Sequence, residues 1–152
     1  MRVSAKTDYA IRAALELAAA ADDRPIKGER IATAQAIPLR FLENILMQLR
    51  HAGLVESRRG ADGGYRLARP AEDVTLADVI RAIDGPLAGV GGARPETLRF
   101  GGVAGSMTDV WIAVRASLRN VLERVTLADV VAAELPGHVR EMLADEDAWL
   151  PH

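Results

Sequence analysis

The feature that most constrains the fold is an amphipathic helix followed directly by a glycine-rich hairpin. In residues 38–52 the apolar side chains recur at helical spacing, and polar side chains occupy the opposite face. Gly53 stands where a glycine commonly ends a helix. Two short stretches, 54–57 and 65–68, then flank a turn with three glycines, which is typical of a β-hairpin. The apolar positions of the helix are Leu42, Ile45, Leu46 and Leu49.

Further helices are predicted on both sides of this unit. The first covers about residues 4–21, with Ser4 as its candidate N-cap, and a short second helix covers about 28–34. Pro38 suits the first turn of the third helix. After the hairpin, Thr75 is expected to cap a helix over 76–84. The order of helix, helix, tight turn, helix and hairpin predicts a winged helix-turn-helix.

The C-terminal half is predicted to contain one long helix. Residues 85–106 hold seven glycines and two prolines and are interpreted as a loop between two helical regions. The helix is expected over about 107–133, because apolar side chains recur there at alternating spacings of four and three. This pattern is typical of a helix that pairs lengthwise with another, so we predict a dimer interface. The predicted interface residues are Met107, Trp111, Val114, Leu118, Val121 and Val125.

The predicted fold class is mainly α with a small β-hairpin: a winged helix-turn-helix plus a long C-terminal dimerisation helix. Four parts are expected: a DNA-binding domain over 1–84, a Gly-rich loop over 85–106, the dimerisation helix over 107–135 and a tail over 136–152. The tail is expected to form one short helix after the break at residues 136–137. The sequence is interpreted as free of internal repeats.

Composition excludes several classes of protein. The 152 residues are 49% hydrophobic and 26% charged, which fits a chain that buries a core. No stretch approaches the roughly 18 apolar residues of a membrane span, and the N-terminus lacks the apolar core of a secretory signal. We therefore expect a cytoplasmic protein and no membrane partner. The chain has no phosphate-binding loop, dinucleotide fingerprint or Ser–His–Asp order, so we do not expect an enzyme.

Cysteine is absent from the chain. This excludes disulfides, thiol nucleophiles and metals held by thiolates. The three histidines, His51, His138 and His152, lie far apart without the spacing of metal ligands. We therefore expect no metal and no cofactor.

Charge is distributed unevenly along a chain whose net charge is −2. Residues 38–70 contain six arginines and three acidic residues, a local charge of +3. Residues 81–152 contain seven arginines and ten acidic residues, a local charge of −3. This asymmetry indicates a basic contact surface on an acidic body.

The basic surface coincides with the predicted helix and hairpin. A helix that enters the major groove needs an apolar face to seat it and a polar face to read bases, and residues 38–52 have both. A hairpin that approaches the sugar–phosphate backbone needs a narrow tip and cations, which the glycines with Arg58 and Arg59 supply. Arg50 is expected either to contact a phosphate or to interact with the dipole of its own helix. Tyr65 is expected to pack within the wing, with its hydroxyl near a phosphate.

Residues 35–68 resemble the Rrf-two family of bacterial transcription regulators, the IscR and NsrR type. The most specific match is the sequence Arg-Gly-x-x-Gly-Gly-Tyr at 59–65, and residues 1–10 and 76–83 also match. The resemblance covers about residues 1–135. It implies a homodimer that binds a pseudo-palindromic operator, most often as a repressor.

The resemblance also implies roles for individual residues. It places the start of the third helix near bases and phosphates and the wing arginine at position 59 in the minor groove. From their chemistry, Glu43 is expected to accept from a cytosine amino group, and Arg40 to reach guanine or phosphate. The complete predicted DNA-binding set is Pro38, Leu39, Arg40, Glu43, Asn44, Arg50, Arg58, Arg59, Gly60, Gly63, Gly64 and Tyr65.

The chain departs from the family pattern in the loop over 85–106. Many family members carry three cysteines there that hold an iron–sulfur cluster, whereas this loop has none. A cysteine-ligated cluster is therefore excluded. A cluster held by other ligands would need His, Asp or Glu, and of these the loop offers only Glu96. A small anionic or planar effector bound by Arg94, Arg99, Phe100 and Trp111 is a further hypothesis.

Two other interpretations remain open at this point. Met107 and Trp111 lie next to the loop, and side chains of this kind more often pack in an interface than contact a ligand. The whole unit is alternatively a winged-helix protein-interaction module that docks on a partner enzyme, which the acidic C-terminal half would suit. Stable complex formation without DNA affinity distinguishes that alternative.

Overall fold

The computed structural model describes residues 3–20 and 24–151. Among these residues it contains seven α-helices, one two-stranded antiparallel sheet and several short 3-10 turns. The helices and strands are α1 (Ala5–Ala18), α2 (Gly28–Gln35), α3 (Leu39–His51), β1 (Val55–Arg58), β2 (Gly64–Leu67), α4 (Leu76–Asp84), α5 (Met107–Leu122), α6 (Leu127–Ala132) and α7 (Gly137–Leu143).

The predicted fold class, a mainly helical winged helix-turn-helix, is confirmed. The Ser4 hydroxyl caps α1 by accepting from the Thr7 backbone N–H. α1 ends at Ala18, earlier than predicted, and the predicted end at residue 21 lies outside the described residues. Pro38 is the N-cap of α3 and not a residue of its first turn. The four apolar residues that define the α3 stripe are all fully buried: Leu42, Ile45, Leu46 and Leu49.

The hairpin has a third partner that the sequence did not indicate. β1 and β2 pair in the register Val55 to Leu67 and Arg58 to Gly64. Ile26, which precedes α2, forms a bridge with Tyr65 through two backbone hydrogen bonds of 2.8 Å. The hairpin is thereby attached to the segment that leads into α2, so wing and helices form one unit.

The prediction of one long helix over residues 107–133 is wrong. α5 ends at Leu122, and a second helix, α6, begins only after Thr126. Thr126 and Asp129 form a reciprocal capping box, with bonds of 2.8 and 3.1 Å, that starts the new helix. Val125, which lies between α5 and α6, is only 3% exposed and is buried within the single chain. The apolar spacing therefore continued across a point where the backbone changes direction.

A six-residue repeat causes this change of direction, which corrects the interpretation that the sequence has no repeat. The sequence Val-Thr-Leu-Ala-Asp-Val occurs at 74–79 and again at 125–130. The Leu76 N–H donates to the Val125 carbonyl at 3.0 Å, and the Leu127 N–H donates to the Val74 carbonyl at 2.9 Å. The two copies therefore pair with each other antiparallel, and each begins a helix.

The repeat also changes the domain assignment. Leu127 is fully buried in the main core with α1 and α3, so α6 belongs to the N-terminal domain and not to a dimerisation element over 107–135. The tail is one helix, α7, followed by a 3-10 turn over Glu146–Trp149. Within the described ranges no helix is long and apolar enough to cross a membrane.

Candidate nucleic-acid interface

The outer face of α3 presents polar and charged side chains to solvent. Arg40, Glu43 and Asn44 are exposed, while the opposite face of the same helix is buried in the core. Leu39 is also exposed, at 37%, as is Met47 further along the helix. A face with donors, acceptors and apolar groups suits the major groove, where base edges offer hydrogen-bonding groups and the thymine methyl.

Neighbouring polar side chains orient Asn44. The Gln48 amide donates to the Asn44 side-chain oxygen at 2.8 Å, and the Lys6 ammonium donates to the Gln48 oxygen at 2.9 Å. The chain of bonds ties the exposed face of α3 to the start of α1. It leaves the Asn44 amide nitrogen to donate outward, and it adds a positive charge, Lys6, that the sequence did not assign to this surface.

The wing turn requires glycine at two positions. A Cβ on Gly63 would lie 2.3 Å from the Arg58 carbonyl oxygen, and one on Gly64 would lie 2.5 Å from the Ile26 carbonyl oxygen. Gly64 also has a φ of 151°, in the region that favours glycine. These glycines therefore allow the tight tip that keeps Arg58 and Arg59 exposed. Gly60 contributes a positive φ of 106° at the start of the turn.

The wing is joined to α3 by a side-chain contact. The Arg50 guanidinium donates to the Ser57 hydroxyl at 3.1 Å, which links the last turn of α3 to β1. On the opposite strand Arg66 pairs with Glu56, so its charge is compensated. The Tyr65 ring lies against Gly28, as expected for packing of the wing. The α3 face and the wing arginines are therefore held as one surface.

A basic cleft beside the wing extends this surface. It has a volume of about 580 Å³ and lies between the wing turn and the segment that enters α2. Arg24, Lys27 and Arg30 line it together with Arg58, against one carboxylate, Asp62. The first three were not among the predicted DNA-binding residues, because they lie before α3, the helix expected to enter the major groove. Their signal was a run of three cations within seven residues at the start of α2.

Comparison with known proteins identifies the family. The model of the family described as "Rrf2: Iron-dependent Transcriptional regulator" matches residues 3–133. The chain belongs to the Rrf2 family. Its fold is the DNA-binding fold of this family, and the family's members are transcriptional regulators and not enzymes.

The similar proteins include curated relatives and solved structures. The chain is 50% identical over 145 residues to Rv1287 of Mycobacterium tuberculosis, a protein named as an HTH-type transcriptional regulator, covering 95% of this chain and 90% of that protein. The structure of CymR, titled the global cysteine regulator of B. subtilis, has a TM-score of 0.74 at 32% identity, covering 88% and 98%. The structure of T. potens IscR has a TM-score of 0.67 at 32% identity, covering 100% and 93%.

The residues of this Rrf2 regulator do not fit the iron centre that the family's description implies. The chain has no cysteine, and the described residues contain no group of three or more His, Asp or Glu side chains placed to hold a metal. The one carboxylate in the loop over 85–106, Glu96, is paired with Arg115. Iron sites need several thiolate, imidazole or carboxylate ligands together. We derive no function through iron for this chain.

The predicted dimer residues divide between two faces of α5. Val114 is 41% exposed, and it lines an apolar groove with Val121, Leu122 and Met142. Trp111 lines a cavity against α4 and the loop, whereas Val114 and Leu118 line both the cavity and the groove. Met107, at the start of α5, is half-buried. Val125, the first residue of the second copy of the repeat, is only 3% exposed in the single chain, so it does not lie on the exposed surface of α5. Val110 is 47% exposed on α5 and was not among the predicted interface residues.

The four predicted effector residues do not line one cavity. Trp111 lines an apolar cavity of about 260 Å³, and Arg94 lines a second concavity of about 510 Å³. Arg99 donates to the Glu96 and Leu98 carbonyls at 2.9 and 2.8 Å and lines neither space. Phe100 is 37% exposed and also lines neither. Proximity in the sequence therefore did not predict which of these side chains line the same cavity.

Proposed function

We propose that this Rrf2 regulator is a sequence-specific repressor in the cytoplasm that binds a pseudo-palindromic operator as a homodimer. The observation that carries the proposal is the single surface formed by the exposed face of α3 and the arginine-tipped wing. The contact between Arg50 and Ser57 holds these two elements together. Such a surface reads the major groove with the helix while the wing contacts the adjacent backbone or minor groove.

Each part of the surface has a chemical role in the proposal. Glu43 accepts a hydrogen bond from a cytosine amino group, and Arg40 donates to guanine or a phosphate. Arg59 enters the minor groove, where negative potential attracts guanidinium groups. Lys27 and Arg30 extend the phosphate contacts along the cleft beside the wing. Base contacts set the preferred sequence, whereas phosphate contacts set most of the affinity.

The exposed stripe of α5 supports the homodimer. Val110, Val114, Ser117 and Val121 recur at spacings of four, three and four, and the groove beside them is almost wholly apolar. Val110 and Val114 are 47% and 41% exposed in the single chain. A second α5 packed along this stripe removes the apolar surface from water. In the dimer, two reading surfaces then face half-sites of one operator.

The proposal includes regulation without a cysteine-held cluster, since no thiolate is available. CymR, a structural neighbour, is titled the global cysteine regulator of B. subtilis. We therefore propose that the regulatory signal is a small molecule or a partner protein that binds the loop and α5.

Fluorescence anisotropy with labelled DNA tests the DNA-binding proposal. The full-length chain is titrated with the duplex upstream of its own coding region and with a scrambled duplex of equal composition. We expect specific binding that weakens steeply with salt, because bound phosphates release counterions. A chain that binds both duplexes equally contradicts the proposal.

Two variants and a control divide the interface into its parts. Arg59→Ala should weaken binding to both duplexes, since it removes a backbone or groove contact. Glu43→Ala should reduce the preference between duplexes by roughly 1–3 kcal/mol, the usual value of a base contact. Arg140→Gln, an exposed arginine in α7, is the control for loss of one positive charge. Equal losses in Arg59→Ala and Arg140→Gln would show only a general charge effect.

A further inference from the structure

Four arginines converge on one concavity away from α3 and the wing. The concavity has a volume of about 510 Å³ and lies between α4, α5 and the loop over 85–96. Arg81 comes from α4, Arg94 from the loop, and Arg115 and Arg119 come from successive turns of α5. The remaining lining residues are 85–88 and Glu96.

The carboxylates nearby compensate only part of this charge. Glu123 pairs with both Arg81 and Arg119, and Glu96 pairs with Arg115. Arg94 forms no hydrogen bond or ion pair with another side chain among the described residues. Four guanidinium groups against two carboxylates leave an excess charge of +2. This excess gives the concavity a positive potential that attracts anions.

Both carboxylates remain ionised at neutral pH. The backbone N–H of Glu96 and the Arg115 guanidinium lower the pKa of Glu96. Hydrogen bonds from Arg81 and then Arg119 lower the pKa of Glu123. The positive excess is therefore the net charge after full ionisation of the acids.

We propose that this concavity binds a small oxyanion carrying two negative charges, of the phosphate or dicarboxylate class. Guanidinium groups bind such oxyanions through paired, charge-assisted hydrogen bonds, and the excess charge matches a dianion. The site uses Arg94 but not Trp111, Arg99 or Phe100, so it differs from the effector site that the sequence suggested. Its ligand touches three parts of the chain at once.

The position of the site couples the ligand to the proposed DNA-binding function, and this second step rests on that function. Arg81 belongs to α4, which packs in the DNA-binding domain, and Arg115 and Arg119 belong to the helix of the proposed dimer interface. A dianion competes with Glu96 and Glu123 for these arginines. It thereby changes the link between α4 and α5. If the bound anion changes the affinity for DNA by a given factor, bound DNA must change the affinity for the anion by the same factor.

Isothermal titration of the full-length protein with inorganic phosphate at pH 7.5 tests the site itself. Sodium chloride keeps the ionic strength constant, and sodium sulfate serves as a second dianion. We expect saturable binding, weakened roughly tenfold in Arg94→Gln, because one charge-assisted contact is lost. Arg94→Gln should keep its fold, since Arg94 makes no side-chain pair among the described residues, and circular dichroism checks this. The control Arg140→Gln should bind as the parent protein does.

Three results overturn the site. They are the absence of saturable binding, equal affinity in parent and Arg94→Gln, and equal loss in Arg94→Gln and Arg140→Gln. Anisotropy with operator DNA, with and without phosphate at constant ionic strength, then tests coupling. A phosphate effect that disappears in Arg94→Gln supports coupling, and DNA affinity unchanged by phosphate overturns it. Phosphate binding by a protein that binds no DNA contradicts the proposed function while the site stands.

Discussion

The two copies of Val-Thr-Leu-Ala-Asp-Val begin in the same way and end differently. In each copy a threonine N-cap and an aspartate three residues later form a capping box. The φ and ψ of Thr75 are −91° and 161°, and those of Thr126 are −90° and 164°. The first copy (74–79) starts α4, which has nine residues, whereas the second copy (125–130) starts α6, which has six.

The sequence after each copy explains the difference. Ile80 and Ile83 continue the apolar face of α4 until Gly85, which has a positive φ of 82°. After the second copy, Ala133 adopts a left-handed conformation, and Pro136 disfavours helix in the residue before it. A local motif therefore fixes how a helix starts, and the residues that follow fix its length.

The difference has a consequence for the whole molecule. The second copy pairs with the first through two backbone hydrogen bonds and buries Leu127 in the main core. The chain thus returns to the DNA-binding domain immediately after α5. The C-terminal end of α5 is therefore tied to that domain by the pairing of the two copies.

The largest expected effect comes from removing the leucine of each copy. Leu127 is fully buried, whereas Leu76 is half-buried at the edge of the same core. We expect Leu127→Ala to lower the free energy of unfolding by about 2–5 kcal/mol, because it leaves a cavity. Leu76→Ala should cost less, since water and neighbours fill the space more easily. Urea unfolding followed by circular dichroism measures both, and a larger loss in Leu76→Ala would contradict the anchoring role of α6.

A smaller effect is expected from removing the caps. Thr75→Ala and Thr126→Ala each remove the hydroxyl that accepts from the aspartate N–H, at a cost of about 1 kcal/mol in unfolding free energy. Thr75→Ser and Thr126→Ser keep the hydroxyl and serve as matched controls. Since the two caps have the same geometry, the two losses should agree closely. Loss at only one position would show that the copies are not equivalent.

The smallest effect is expected from acid. Hydrogen bonds from Arg81 and Arg119 hold the pKa of Glu123 below its ordinary value of 4.5. Near and below pH 4.5 the unfolded chain therefore binds more protons than the folded chain. The pairs of Glu123 with Arg81 and Arg119 stabilise the fold above about pH 4.5, and this stabilisation is lost as the pH falls through the lower pKa of the folded state. Glu123→Gln should lose stability at pH 7 and show a flatter decline as the pH falls below about 4.5. Unfolding midpoints across this range test it, and a decline as steep as in the parent chain would contradict it.

Local patterns in the sequence predicted the N-terminal half of the fold well. The stripe of α3 identified its buried face, and the glycines of the wing identified the turn, because each position has a direct steric reason. Ile26 as a third partner of the wing was not predictable from a single isolated residue. The role of Lys6 depends on how α1 packs beside α3, which periodicity does not specify.

The C-terminal half was predicted less well for a physical reason. The apolar spacing runs from Val121 to Val125 without interruption, yet Val125 is only 3% exposed within the single chain. Periodicity reports that a residue is apolar and not which surface buries it. Comparison of 74–79 with 125–130 would have revealed the second helix start. The loop residues of the predicted effector site had no such signal.

In the proposed complex, two copies of the chain present two α3 faces and wings to half-sites on one side of DNA. Once the operator has been located, anisotropy on a series of duplexes with altered half-site spacing tests this most directly. An insertion of about five base pairs, half a helical turn, rotates one half-site to the opposite side of the duplex. We predict that this insertion abolishes the specific part of the affinity, and that about ten added base pairs restore much of it. Affinity independent of spacing would contradict the claim.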